Sequence, residues 1–492
     1  MNDIVIPEIT ISLRDLVNAI LLYLACLGVV MVASRYREWL KAAIWRRGSI
    51  YWILTVISVA VFLPAIWETL RIVTGNGNIF DRNPRKYVML FATITGPLFI
   101  IWRMYIAHYQ TNTAEEDSIT ERVDKAIDSL GSVEVAKKDA EAPPEPNIKA
   151  RLAAIYSLER VAQESPRSHV KIMETLCLYI QSNSKADTAT LLPENSQHSV
   201  AAWRERVPPV RIDIQASIDV IARRNDAQIL NEITEKYTLD LRECNLQRVN
   251  FRTGKFDLAS MEECHLDFAQ MDGAELNGAV LNRATLNGAK LEGARLNGAE
   301  LNGAKLNEAN LDRAELNGAK CNGAELNGAM LRLAKLNGAV LVGAKLHGAD
   351  LNGVAINRAV ANGADLRGAK LNGAMLKEAV LNQVMFNGAE LNGAELNRAA
   401  LNRAVLIGAE LNGAKLDGVN FSGANMERAA VKSTDLSGAV RLSEMQLNAL
   451  FGDQSTTLPA GMKRPDGWPE DDLDYSEFYT QWQAAKKEAG LP

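Results

Sequence analysis

Few residues in this 492-residue chain are spaced to do covalent or metal chemistry. The five histidines, His108, His169, His198, His265 and His347, have no ligand spacing, and the sequence shows no glycine-rich phosphate loop or nucleophile constellation. The pair that could react is Cys244 and Cys264, which lie twenty residues apart at the same small inward position of a five-residue repeat. If that repeat coils and its coils stack about 4.8 Å apart, the two Cα atoms fall within disulfide range. In-register stacking keeps their Cβ atoms slightly too far apart, so two buried thiols are expected in a reducing compartment. No catalytic residue, cofactor or metal site is expected.

That placement depends on the repeat. From Leu241 to Leu436 an apolar residue, nearly always Leu, returns every fifth position, and a small residue, nearly always Ala, sits two places before it. The phase holds through forty units without an insertion or deletion. A period of five fits neither a helix nor a flat strand, so short extended pieces must alternate with turns in a solenoid. In Leu296-Asn297-Gly298-Ala299 the Gly accepts the positive φ needed at the second central position of a type II turn. Four such corners would close a coil with Leu and Ala pointing in, and ten coils would give a rod of about 48 Å. Residues twenty apart then stack, so Asn277, Asn297, Asn317, Asn337 and Asn357 share one column in which amides can hydrogen-bond. Ala361 removes most of a Leu from one layer, which predicts a small cavity.

The outward positions carry the surface chemistry. The signs alternate up two faces, as Glu275, Arg295, Glu315, Lys335 and as Lys305, Glu325, Lys345, Asp365. Opposite charges at that spacing attach coil to coil and cancel at a distance. With a net charge of −5 and no Lys/Arg run interleaved with aromatics, no nucleic-acid surface is expected. On one side Val340, Val360, Val380 and Ala400 stack over four coils with Val342 beside them, an apolar stripe about 14 Å long. Such a stripe predicts a contact surface for a second copy, a partner or the chain's own tail.

The Ala-x-Leu-Asn-Gly units resemble the pentapeptide-repeat proteins, and the resemblance implies a right-handed quadrilateral β-helix over 239–440. The stretches Thr120-Glu121-Arg122-Val123-Asp124-Lys125-Ala126-Ile127-Asp128-Ser129-Leu130-Gly131, Tyr156-Ser157-Leu158-Glu159-Arg160-Val161-Ala162 and Asp213-Ile214-Gln215-Ala216 resemble a helical segment that precedes the repeats in many bacterial membrane-anchored members. A small α-helical domain is therefore expected over 111–238, with a Pro-rich charged linker at 137–147. Within it, Asn147 to Glu164 puts Ile148, Leu152, Ile155, Leu158 and Val161 on one helix face. Pro166 and Arg167 read as a turn, His169 to Gln181 as a second helix and Ile212 to Arg223 as a later one. Residues 441–492 resemble the closing tail of the family. There Tyr475, Phe478, Tyr479 and Trp482 share one face of a terminal amphipathic helix, expected to pack on its own solenoid.

Residues 1–110 read differently. The stretches 16–33, 50–67 and 87–107 are long and apolar enough to suggest three transmembrane helices. The loop after the first holds Arg35, Arg37, Lys41, Arg46 and Arg47 with Trp39, which suggests an amphipathic segment on anionic lipid. By the positive-inside rule that loop and the repeats would be cytoplasmic, at a bacterial inner membrane. The fold class expected is thus a membrane-anchored, multi-domain chain ending in a β-helix. Its expected function is a non-enzymatic, membrane-tethered scaffold or docking protein, with membrane lipid, an unknown protein or a second copy as partner. Two alternatives are a homo-oligomeric membrane pore or effector, and a DNA mimic that binds a DNA topoisomerase, known in family members with acidic rods. Balanced charge on the repeats disfavours the second.

Overall fold

In the computed structural model, residues 84–134, 145–192 and 200–491 are described. The chain divides into two compact units, 1–114 and 115–492. The expectation of three transmembrane helices is corrected: among the described residues no helix is long and apolar enough to cross a membrane. The stretches 16–33 and 50–67 lie outside the described residues, as do Arg35, Arg37, Trp39, Lys41, Arg46 and Arg47. The third stretch belongs to helix α1, Pro84–Leu130. That helix carries Arg103 and continues without a break through Glu115, Glu116 and Asp117, so its apolar half is one end of a longer helix whose other half is charged.

The second unit begins with the far end of α1, whose Val123, Ala126 and Leu130 are buried. Strands β1, Val133–Glu134, and β2, Glu145–Pro146, pair antiparallel. Helix α2, Ile148–Glu164, starts at Asn147, whose side chain accepts from the Ala150 N–H and satisfies a donor that the first turn leaves open. Helix α3, Pro166–Asn183, follows after a single residue, Ser165. The sequence reading placed a turn at Pro166 and Arg167, but Pro at the first helical position gives up only an N–H that has no intrahelical partner, and its φ is already helical. Helices α4, Val200–Arg204, and α6, Asp226–Thr234, were not anticipated, while α5, Ile212–Ala222, was.

These helices close the N-terminal end of the solenoid. The first coil has no coil before it, so its backbone groups need other partners. Gln215 of α5 supplies both kinds: its Nε2 donates to the Asn250 carbonyl and its Oε1 accepts from the Asn250 N–H, each at 2.9 Å. Arg224 donates to the Lys255 carbonyl. One apolar core runs without interruption from Ile155, Leu158, Leu176 and Ile218 into Leu241, Phe251 and the coils beyond.

The repeats form a four-sided β-helix. Parallel bridges join residues twenty apart on four successive sides, as in Glu275 with Arg295, Val280 with Glu300, Thr285 with Lys305 and Lys290 with Asn310. Each corner is a tight turn: the Leu296 carbonyl accepts from the Ala299 N–H at 3.0 Å, and Gly298 has φ 68°. Leu333 occupies the same turn position with φ 58°, a conformation that costs an L-residue energy and that the stacked coils impose. The inward Leu and Ala residues are almost wholly buried. The cavity expected at Ala361 is present, about 20 Å³, bounded by Ala361, Ile356 and neighbouring Leu layers.

At the C-terminal end α7, Glu444–Ala449, covers the last full coils, with Gln446 Nε2 donating to the Phe421 and Ala424 carbonyls at 2.7 and 2.9 Å. Phe451 bridges to Ala430 and Thr457 to Asp435, so the cap continues the ladder before leaving it. Helix α8, Tyr475–Glu488, then returns along the solenoid.

Candidate functional site

The outward side chains decide what such a coil can do, because its interior is filled. On three columns those side chains are tied to one another. Asn297, Asn317, Asn337 and Asn357 each donate a backbone N–H and Nδ2 to the Oδ1 of the Asn one coil earlier, at 2.9 to 3.2 Å. The expected alternation of charge forms ion pairs between coils: Arg295 with Glu275 at 3.2 Å, Lys335 with Glu315 at 3.0 Å and Lys345 with Glu325 at 2.9 Å. Lys345 and Asn307 hold the Glu325 carboxyl below the usual range against the desolvation that would raise it. Where these pairs form, the charges are satisfied within the rod and their field is short-ranged.

One face is different. Val340, Val360, Val380 and Ala400 stack through successive parallel bridges and remain partly exposed. Val342, 41 % exposed, lies at the adjoining corner. The sequence reading missed that the apolar surface turns that corner: Met385 and Val405 bridge to each other on the neighbouring face, also partly exposed. The signal was available, because Met385 and Val405 hold the same place in their units as Val380 and Ala400.

The tail helix does not cover this face. Phe478 and Trp482 are buried against Ala430 and Phe451, and Trp482 Nε1 donates to the Arg428 carbonyl at 2.7 Å. Tyr475 and Tyr479, expected on the packed face, stay exposed. The tail is held by Lys432, whose ammonium reaches Asp453 and Asp472 at 2.7 Å each. Burial would raise the Asp453 carboxyl, but Lys432 and Ser455 hold it below the ordinary carboxylate range. The sequence signal for this dock is Ala430, which follows Glu390 and Glu410 in its column and leaves room for the aromatic rings.

The remaining polar clusters are structural. His169, fully buried, shares Glu232 with Arg224 inside the helical cap. Asp213 accepts from Tyr179 at 2.5 Å and from Arg211, and burial with Asp213 nearby pushes the Tyr179 phenol up to about 12. Among the described residues no group of three or more His, Cys, Asp or Glu side chains could hold a metal ion. Cys244 and Cys264 are free buried thiols. The Cys264 thiol donates to the Leu241 carbonyl, and contact with Cys264 together with burial raises the Cys244 thiol. Burial alone pushes Cys321 up to about 12.

Residues 259–298, 294–332, 314–353, 331–360, 364–403 and 399–438 match the profile of the pentapeptide repeats, eight copies in all. Residues 259–360 and 364–438 of this chain are thus pentapeptide repeats. Among solved structures, HetL, a pentapeptide-repeat protein involved in heterocyst differentiation regulation from the cyanobacterium Nostoc sp. strain PCC 7120, is 26% identical, with 51% of this chain and 94% of HetL covered and a TM-score of 0.26. QnrB1, a plasmid-mediated fluoroquinolone resistance protein, is 17% identical over 41% of this chain and 88% of its own, with a TM-score of 0.17. A pentapeptide-repeat protein from the Arabidopsis thaliana thylakoid lumen is 22% identical over 26% of this chain and 77% of its own, with a TM-score of 0.16. No curated protein matches the chain.

Proposed function

We propose that this pentapeptide-repeat protein is a non-enzymatic docking protein whose capped, rigid β-helix presents one apolar face to a protein partner. The observation that carries this reading is the Val340, Val360, Val380 and Ala400 stripe, a run of four partly exposed apolar residues bridged over successive coils. Among the described residues neither the tail helix nor the helical cap fills it. A continuous apolar surface marks a contact site more than scattered valines do.

Replacing Val360 and Val380 together by Lys tests the reading. The β signal in circular dichroism stays, because the side chains point outward, while co-purification of a partner or self-association by light scattering is lost. Unchanged mass together with unchanged partner recovery would rule the face out.

A further inference from the structure

Val342 occupies a position that elsewhere belongs to an amide ladder. In its column Asn302 and Asn322 hang from the Asn one coil earlier by backbone and side-chain bonds, at 2.8 to 3.2 Å, and the ladder resumes with Asn382 and Asn402. No side-chain hydrogen bond joins Asn322, Val342 and Asn362. An Asn at 342 would complete the column, so the Val gives up hydrogen bonds in order to place an apolar group in solvent, next to the Val340 stripe. Stability withheld at a surface position is a mark of function.

The same chain contains a covered precedent. Ile407 stands in another of the four columns, whose ladder His347 and Arg367 have already ended, and the next residue, Gly408, lies under the tail helix: a Cβ there would stand 3.3 Å from Lys486 Cδ. Where Ala430 replaces the Glu of its column, Phe478 and Trp482 pack above it. At Ala430 the apolar departure from the repeat is the footprint of a docked segment.

The rim of the uncovered stripe is cationic. Arg358, Lys377, Arg398 and Arg403 border it with two carboxylates, Glu378 and Glu395, among them. Glu378 is shared between Arg358 at 2.8 Å and Arg398 at 4.0 Å, Lys377 turns to Glu395, and Arg403 has no ion-pair partner among the described residues. We infer that the face takes an aliphatic segment flanked by Asp or Glu on a partner protein, with Val342 extending the apolar contact and Arg398 and Arg403, the least engaged of the four cations, meeting the partner's carboxylates. This rests on the docking reading above and names the chemistry of its partner. Charge at such a rim sets orientation and encounter rate more than affinity.

A photoreactive residue introduced at Val360 in the full chain, irradiated in cells of the source organism, tests the inference when the joined peptides are sequenced by mass spectrometry. The expected products are peptides of another protein with aliphatic residues bordered by Asp and Glu. Adding Val342→Asn lowers their yield about tenfold, a loss of one apolar contact's worth of affinity, while raising the unfolding midpoint. Because that variant strengthens the fold, the loss cannot come from misfolding. Arg398→Glu with Arg403→Glu lowers the yield as well. Products joining two copies of this chain, products bordered by Lys and Arg, or a yield indifferent to Val342→Asn would each overturn the inference while leaving docking intact. Irradiation that joins nothing would defeat the docking reading itself.

Discussion

Asn287 is bound twice to Asp267: its backbone N–H and its Nδ2 both donate to Asp267 Oδ1, at 3.0 and 2.9 Å. Asp257 holds Asn277 in the same way. From Asn277 to Asn357 each Asn accepts at Oδ1 from the backbone N–H of the next coil, so the dipoles of the column add. An acceptor-only carboxylate stands at the N–H end. At the oxygen end Lys377 caps Asn357 and Lys432 caps Asn412 through their backbone N–H groups, with a cationic side chain at the same position. The column from Asp257 to Lys377 is thus capped as a helix is, anion at the positive end and cation at the negative end.

Replacing Asp267 by Leu should therefore cost more than one ordinary hydrogen bond. Asn287, Thr285 and Gln247 all donate to this buried carboxylate. Stranding them should lower stability by about 2 kcal/mol or more, measured by chemical unfolding. Asp267→Asn keeps an acceptor and should lose less. Equal losses for the two variants would count against the ladder account.

The tail clamp should respond to acid. The folded Asp453 carboxyl ionises below its ordinary range, so its contribution is complete above that range and is lost as pH falls through the folded value. Lys432 is held above the ordinary lysine value by Asp453 and Asp472 despite burial, so its share persists until the solution is more alkaline than that. Limited proteolysis should cut between 453 and 475 first at acid pH. Lys432→Met, which strands Asp453, should expose the same site at neutral pH at a cost of about 3 kcal/mol.

Ala361 tests the core. Leu at every other layer of its surroundings leaves the cavity there, so Ala361→Val should raise the thermal midpoint by filling it, while Ala361→Leu, with more bulk than the space holds, should gain less. A midpoint lowered by Val would mean that the coil has already closed around the alanine.

The sequence and the structure agree where one rule repeats. The Leu period, the Gly298 turn, the Asn277 column and the Glu275–Arg295 pair all follow from stacking at twenty residues. The ends escape that rule. The cap contact of Gln215 with Asn250 joins a helix to a coil thirty-five residues later, and no periodicity announces it. Helix α6 depends on a capping box at Asn225 and Gln228 whose short apolar pattern gives little amphipathic signal. The apolar run at 87–107 misled because hydropathy in a window does not register the charged helix that continues beyond it. The stripe itself was legible as four positions, but its spread to Met385 and Val405 becomes visible only when two faces are folded around one corner.

The account rests on the stripe being covered in the cell. Val360→Cys and, on the opposite face, Lys370→Cys place one accessible thiol each on a chain whose described cysteines are buried. Labelling with a membrane-permeant maleimide, compared between intact cells and the purified protein, measures the cover directly. The account predicts that the Val360→Cys thiol reacts about tenfold more slowly in cells relative to the Lys370→Cys thiol, and that the difference vanishes on purification. Equal relative rates in both settings would contradict it.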